Sequence, residues 1–236
     1  MSDTLFYSPD ILNNSQLPDI ESHHCVKVLR MRNGDSLTVT DGKGHFYQCT
    51  LVDANPKHST VSIINKINVN QPRNFILHVA FAPTKQMDRN EWFVEKATEI
   101  GIDRFIPIIS NFSERKEIKI ERLTKTTISA MKQSQQPFLP HIDETVSFNN
   151  FIKLPFNGNK YIAHCYETPK TPLTQIYKKG ENALILIGPE GDFSEKEVES
   201  AINSGFRPIS LGESRLRTET ASLVATHTIH VINSLS

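Results

Sequence analysis

The chain contains little of what would mark an unusual protein class. Three cysteines, Cys25, Cys49 and Cys165, are odd in number, far apart and without a CxxC spacing. They argue for free thiols in a reducing compartment rather than for a disulfide framework. No apolar run approaches a membrane span, and the N-terminus MSDTLFYSPD lacks the basic and then apolar regions of an export signal. The expectation is a cytoplasmic protein with no membrane partner. Net charge is missing too, with Lys plus Arg and Asp plus Glu at 26 each, so any nucleic acid must be met by a local patch. The GxGxxG and P-loop patterns are absent, which disfavours a nucleotide-dependent enzyme. His23, His24 and Cys25 are metal-ligand types, but neighbours on a helix point apart and no second ligand pair follows at zinc-finger spacing, so no metal is expected. No internal repeat or low-complexity segment occurs.

What is present reads as two domains of unequal size. At 236 residues and 38% hydrophobic content the chain can bury a substantial core. Residues 1–70 have the period of strands: 37–40 (LTVT) and 46–52 (FYQCTLV) flank Asp41, Gly42, Lys43 and Gly44, a hairpin connection, and 60–67 adds a third run. A small barrel or sheet is expected. Before it, ESHHCVKVLRMRNGD predicts a short helix capped by Ser22, with Cys25, Val28 and Leu29 inward, Lys27, Arg30 and Arg32 outward, and Gly34 as its stop.

Asn70, Gln71 and Pro72 break the pattern, and residues 73–236 alternate strands and helices. Residues 74–81 (NFILHVAF) form a nearly continuous apolar run, as in a strand buried on both faces. Asp88 and Glu91 suit a capping box for a helix through Trp92, Phe93, Lys96, Ala97 and Ile100, ended by Gly101. A strand at 105–109 and a helix over 118–134 follow, the helix carrying Ile120, Leu123, Thr127 or Ile128, and Met131 on one face. Its other side is basic, with Arg115, Lys116, Lys119, Arg122, Lys125 and Lys132 in the region. Such a face neutralises phosphates or is a solvated surface with internal ion pairs. A turn at 157–159, a strand at 160–166 and a surface connection at 169–180 complete the approach to the most informative stretch.

That stretch runs from 183 to 221, ALILIGPEGDFSEKEVESAINSGFRPISLGESRLRTETA. Two apolar runs, 183–187 and 208–211, each end in a glycine-bearing loop that feeds a helix. A crossover makes the strands parallel, so both loops should open at one carboxyl edge, where α/β folds place their ligands. Ser194 and Glu197 form a capping box for a helix with Val198, Ala201 and Ile202 inward, ended by Gly205. In the second loop, Thr218 or Thr220 is accounted for as an N-cap. A cap does not need Arg217 and Glu219 beside it, which points to a ligand or a fixed loop shape.

The pairing of LILIGPEGDFSEKE with ISLGESRLRTETA resembles the RsmE family of the SPOUT superfamily, methyltransferases that modify N3 of a uridine in 16S ribosomal RNA with S-adenosylmethionine. HHCVKVLRMRNGD with the later DGKG is similar to that family's N-terminal PUA-like barrel, and EKATEIGIDRFIPIISNFSER to its signature after the first catalytic strand. The resemblance implies an α/β fold: a SPOUT-type parallel sheet with a C-terminal trefoil knot in 73–236, preceded by a PUA-like β-barrel RNA-binding domain in 1–70. It also implies a homodimer whose partner subunit completes the site, acting on 16S rRNA that is naked or within the small ribosomal subunit.

Carried over by position, the methyl donor is held by Ala163 and His164, by Ile187, Gly188, Pro189 and Gly191, and by Leu211, Gly212, Ser214, Leu216 and Thr218. Arg217, Glu219 and Thr220 lie near the methyl group and the base. Arg30, Arg32, Lys85, Arg89, Arg115, Lys116 and Arg122 are the RNA-binding candidates. Where many members have LGPRxLRTETA this chain has LGESRLRTETA, and KQSQQP stands where EQSxR is common. Uridine N3 must lose a proton to become nucleophilic. Arg217 is therefore a candidate to stabilise charge on a uracil oxygen, and Glu190 or Glu219 to orient it or relay the proton. The alternative is an Arg217–Glu219 salt bridge that only shapes the loop. For the whole protein, the alternative is a non-catalytic RNA-binding protein with no affinity for the donor.

Overall fold

The period-two patterning of the N-terminal stretch produces strands, and the glycine connection turns one back on the next. In the computed structural model, which describes residues 4–70 and 73–235, β1 (Leu5–Tyr7), β2 (Ser36–Thr40), β3 (His45–Asp53) and β4 (Thr60–Asn68) form a four-stranded sheet in that order. β1 and β2 are parallel, the other pairs antiparallel. Phe6, Ile11, Leu17, Val39, Tyr47 and Leu51 make its core. Gln71 and Pro72, at the expected domain break, lie outside the described residues, as do Met1, Ser2, Asp3 and Ser236.

The helix before β2 starts earlier than its sequence suggests. α1 (Asp19–His23) follows Pro18 and runs into a π-helical turn, His24–Val28, where the Leu29 amide reaches five residues back to the His24 carbonyl at 3.0 Å. Ser22 is no cap: its hydroxyl donates to the Leu17 carbonyl and accepts from the Ser59 amide. The wider turn changes the phase of the helix. Cys25 stays buried, whereas Val28 and Leu29, expected inward, are 59% and 38% exposed. Arg30, at φ 56°, reverses the chain ahead of Gly34.

The chain divides into two compact units, one of Met1–Pro72 with Ile128–Leu139 and a second of Arg73–Thr127 with Pro140–Ser236. The assignment of 128–139 to the first unit has a physical basis. The Gly44 amide donates to the Pro137 carbonyl and the Leu139 amide to the Gly42 carbonyl, both at 2.9 Å. Lys132 stands 2.6 Å from the buried Glu21 carboxylate. A Cβ on Gly44 would come within 2.7 Å of the Phe138 ring, so the glycine turn also makes a close approach that a side chain would block.

In the second unit the elements are β5 (Leu77–Phe81), α2 (Met87–Ile100), β6 (Arg104–Ile109), α3 (Ile120–Gln133, its last residues belonging to the first unit), β7 (His141–Ile142), β8 (Val146–Ser147), α4 (Phe148–Phe151), β9 (Asn159–Ala163), β10 (Thr171–Pro172), α5 (Leu173–Ile176), β11 (Ala183–Ile187), α6 (Glu195–Asn203), β12 (Phe206–Ser210) and α7 (Thr218–Ser234). The eight strands form a parallel sheet in the order β10, β12, β9, β11, β5, β6, β7, with β8 also on β6. Alternate residues serve opposite faces. Ile185 and Ile187 join Phe93, Ala97 and Ile229 in one core, while Leu184 and Leu186 join Phe151, Val198 and Ala201 in the other. Burial on both sides explains the continuous apolar runs. Among the described residues no helix is long and apolar enough to cross a membrane.

Three local expectations change. Asp88 and Glu91 make no capping box: α2 starts at Met87 after an uncapped Gln86, and Glu91 is held by Arg122. Asn90 ties the preceding loop instead, accepting from the Thr84 amide at 2.8 Å and donating to its carbonyl at 3.0 Å. The 169–180 connection holds β10 and α5 and buries Leu173 and Tyr177, because alternating polar and apolar residues there hide a one-turn helix. Ile202, expected inward on α6, is 44% exposed.

The Ser194–Glu197 box is formed on both sides. Glu197 also accepts from the Asn111 amide at 2.8 Å. Ser194→Ala is expected to cost about 1 kcal/mol, a fall in Tm of about 2–4 °C. An unchanged thermal melt would show the cap to be energetically idle.

Candidate functional site

Three strands end level at the carboxyl edge of the sheet. β9 lies between β11 and β12 and pairs with both in parallel, Ala163 standing opposite Ile187 and opposite Ile209. Crossover geometry predicted two loops at one edge, and the end of β9, where the resemblance placed Ala163 and His164, forms the third wall. A pocket of about 420 Å³ occupies this edge, within the range of small-molecule sites. On its wall are Ala163 and His164 at the end of β9, Ile187, Gly188, Pro189 and Glu190 at the end of β11, and Leu211, Gly212, Ser214, Leu216, Arg217 and Thr218 after β12. Glu213 and Arg215, where the sequence departs from the family pattern, are on the wall as well.

Two candidates are elsewhere. Gly191 faces Phe112, whose Cβ lies 3.1 Å from where a Cβ on the glycine would stand. The loop packs tightly there, and Gly191 is not on the pocket wall. Glu219 is 8% exposed in the first turn of α7. One carboxylate oxygen is 3.8 Å from Arg89 of α2 and the other has no partner among the described residues. The 100° step along a helix turns residue 219 away from the pocket that residue 218 lines.

The loops are fastened by two side chains. The buried Thr218 hydroxyl donates to the Gly188 carbonyl at 2.9 Å, joining the start of α7 to the end of β11. It is not an N-cap; Arg217 occupies that position, and no side chain caps the helix. Asp192, at φ 64°, accepts from the Cys165 amide at 2.7 Å and the Phe193 amide at 2.8 Å. It thereby joins the β9 and β11 loops. Glu190 adds a third link: its carboxylate accepts from the Lys85 amide at 3.1 Å, and its carbonyl accepts from Arg215 at 3.5 Å.

The electrostatics of the wall are uneven. Burial first, and then the charge of Lys170, pushes the His164 imidazole below the ordinary histidine range. Cys165 is exposed, yet partial desolvation and then the charge of Asp192 raise its thiol above the ordinary range, so it is not a thiolate at neutral pH. The Lys170 ammonium donates to the His164 carbonyl at 3.1 Å and the Tyr166 carbonyl at 2.7 Å. Arg217 is exposed and makes no hydrogen bond or ion pair with the described residues. The Arg217–Glu219 bridge is thus not formed, since Glu219 faces Arg89.

Of the RNA-binding candidates, several are engaged internally. Arg115 donates to the Thr84 carbonyl at 2.9 Å and to the Lys85 carbonyl, clamping the β5–α2 loop. Arg122 pairs with Glu91, Lys85 with Glu114 at 3.1 Å, and Arg89 faces Glu219. Lys116 is exposed, as are Arg30 and Arg32 in the first unit. Sequence reasoning missed Cys165, Lys170 and Asp192, all on the pocket wall. Asp192 had a readable signal, a polar residue between the glycine loop and a capping box; Lys170 had none, because it returns to the pocket from a connection read as surface.

Comparison with known proteins agrees with this geometry. Residues 71–230 match the RNA methyltransferase domain family and residues 17–64 the RNA methyltransferase PUA domain. A probable rRNA-methyltransferase from Porphyromonas gingivalis, known from its crystal structure, is 45% identical, with a TM-score of 0.93 over 98% of both chains. Ribosomal RNA small subunit methyltransferase E from Neisseria gonorrhoeae, bound to S-adenosyl methionine, is 26% identical, with a TM-score of 0.83 over 97% of both chains. The protein of the same name from Buchnera aphidicola subsp. Acyrthosiphon pisum is 30% identical over 93% of this chain and 89% of its own. With both domains matched in order along nearly its whole length, the chain belongs to the RNA methyltransferases that carry a PUA domain, the RsmE family.

Proposed function

We propose that the protein transfers a methyl group from S-adenosylmethionine to N3 of a uridine in 16S ribosomal RNA. The observation that carries the reading is the pocket at the joined ends of β9, β11 and β12, with the unpaired guanidinium of Arg217 on its wall. The residues present suit the donor. Ile187, Leu211, Leu216 and Ala221 offer an apolar surface, and His164 a buried imidazole whose two nitrogens lack partners among the described residues. Bound there, S-adenosylmethionine supplies an electrophilic methyl group on a sulfonium.

The chain supplies orientation and charge. Thr218 and Asp192 keep the three loops together, so the two reactants meet in a fixed geometry. Arg217 stabilises the negative charge left on a uracil oxygen when N3 loses its proton. Glu190, with one oxygen on the Lys85 amide, keeps the other for that proton. Glu219 acts behind the pocket, on Arg89. Gly191 holds its loop against Phe112, and Lys116, Arg30 and Arg32 meet phosphates. A homodimer belongs to the same proposal, supported by Trp92 of α2 and Val231 of α7, 42% and 39% exposed. So does the trefoil knot, supported by α7 packing back on α2, β5 and β11 after β12 has passed beyond β9. Free thiols suit the cytoplasm.

Calorimetry with S-adenosylmethionine is expected to show binding, and absence of binding would defeat the enzyme reading in favour of a non-catalytic RNA-binding protein. Mass mapping of modified uridines in ribosomal RNA from cells lacking the protein should then show one N3-methyluridine lost. An unchanged pattern would refute the substrate.

A further inference from the structure

The loop between β5 and α2, residues 82–86, lies off the pocket wall, yet one of its peptide groups is tied to it. The peptide joining Thr84 to Lys85 is gripped from both ends. Its carbonyl, on the buried Thr84, accepts from Arg115 Nε at 2.9 Å and from Asn90 Nδ2 at 3.0 Å. Its N–H donates to Oε1 of Glu190, on the pocket wall, at 3.1 Å. Carbonyl and N–H of one peptide are a single planar, conjugated unit, so the groups form a guanidinium–peptide–carboxylate chain. Hydrogen bonds in such a chain polarise one another, and the charged ends strengthen them.

The shape of the loop does not depend on Arg115. Asn90 also accepts from the Thr84 amide at 2.8 Å and donates to the Gln86 carbonyl at 3.1 Å, which holds the turn from inside. What Arg115 adds is a charge. Its guanidinium donates further to the Lys85 carbonyl and, at 3.5 Å, to the Glu117 carbonyl. These partners are all main-chain carbonyls, and the carboxylate that the charge reaches, through the peptide, is that of Glu190. Glu190 is exposed, and an exposed glutamate without such an anchor samples several rotamers. We infer that Arg115 is a positioning residue for methyl transfer: through the Thr84–Lys85 peptide it fixes the Glu190 carboxylate, one oxygen on the Lys85 N–H and the other left for the uridine N3 proton. This rests on the reading above of Glu190 as the acceptor of that proton.

The test combines Arg115→Met and Glu190→Gln, singly and together, in single-turnover methyl transfer on ribosomal RNA, with calorimetric affinity for S-adenosylmethionine measured beside it. Glu190→Gln should slow the rate by about a hundredfold or more, as for loss of a proton acceptor. Arg115→Met should slow it by about tenfold or more through lost orientation, with donor affinity within a few-fold of wild type. The double variant should match Glu190→Gln to within about twofold, because Arg115 acts only through that carboxylate. Arg115→Lys, which keeps the charge and disturbs the fold least, should recover part of the rate. The Lys85 amide proton, deshielded by the carboxylate in the wild type, should move upfield in both single variants. Losses that multiply in the double variant, a donor affinity that falls in step with the rate, an unmoved Lys85 amide or a normal rate in Arg115→Met would each overturn the inference. Normal turnover by Glu190→Gln would instead remove the proton-acceptor reading on which it rests, and wild type without activity would sink the methyltransferase reading itself.

Discussion

Arg217→Ala is expected to slow methyl transfer by about two to three orders of magnitude, the usual cost of removing a donor aimed at developing negative charge. Affinity for S-adenosylmethionine should stay within a few-fold of wild type. The separation follows from the site. Arg217 is exposed at the N-cap position of α7, with extended backbone at φ −69° and ψ 156°, and it holds no other residue in place. Loss of its side chain removes a charge from the pocket wall without loosening the loops. Lysine should recover only part of the rate, because an ammonium lacks the planar fork of the guanidinium. Single-turnover rates on ribosomal RNA, read beside calorimetric affinities, decide the matter. Normal turnover would exclude charge stabilisation by Arg217, and a parallel fall in rate and affinity would give it a scaffold role.

Thr218→Val is expected to do the opposite, weakening donor affinity by about tenfold or more and lowering stability. The hydroxyl is buried and serves the Gly188 carbonyl at 2.9 Å. Valine leaves that acceptor unpaired, a penalty of about 1–3 kcal/mol, and releases the β11 loop from α7. Thr218→Ser keeps the hydroxyl and should restore most of both properties. If donor binding were untouched by valine, the link would be incidental to the pocket, whatever its effect on Tm.

The two residues show how legible the site was. GPEG and RTETA stood out because glycines, charges and hydroxyls crowd after buried strands, and the pocket does lie there. Within RTETA, however, the sequence could not say that Thr218 faces Gly188, that Arg217 faces the pocket and that Glu219 faces Arg89. A shift of one residue at a helix start rotates every role by 100°, and helix starts are poorly fixed by local patterning. The central strand β11 was readable for the opposite reason, since burial on both faces makes Ala183–Ile187 apolar throughout, while β2 and β3 were readable from alternation of buried and exposed residues. The basic residues were not separable by sequence, because a guanidinium that clamps a carbonyl, as Arg115 does for Thr84, has the same signature as one facing solvent. Two errors in the first unit had one source: nothing in HHCVKV announced the wide π-helical turn that carried Val28 and Leu29 outward.

The backbone contacts between the Gly42–Gly44 turn and residues 137–139 have a consequence for how the chain folds as it is made. A ribosome delivers the first 70 residues long before residue 139, so the four-stranded sheet emerges with the backbone of its β2–β3 turn still lacking its partners. The first unit completes itself only after β5, α2, β6 and α3 have also been synthesised. Maturation is therefore not strictly vectorial. Contacts spanning about ninety residues must close before the N-terminal unit is whole, and they raise its contact order well above that of a local hairpin.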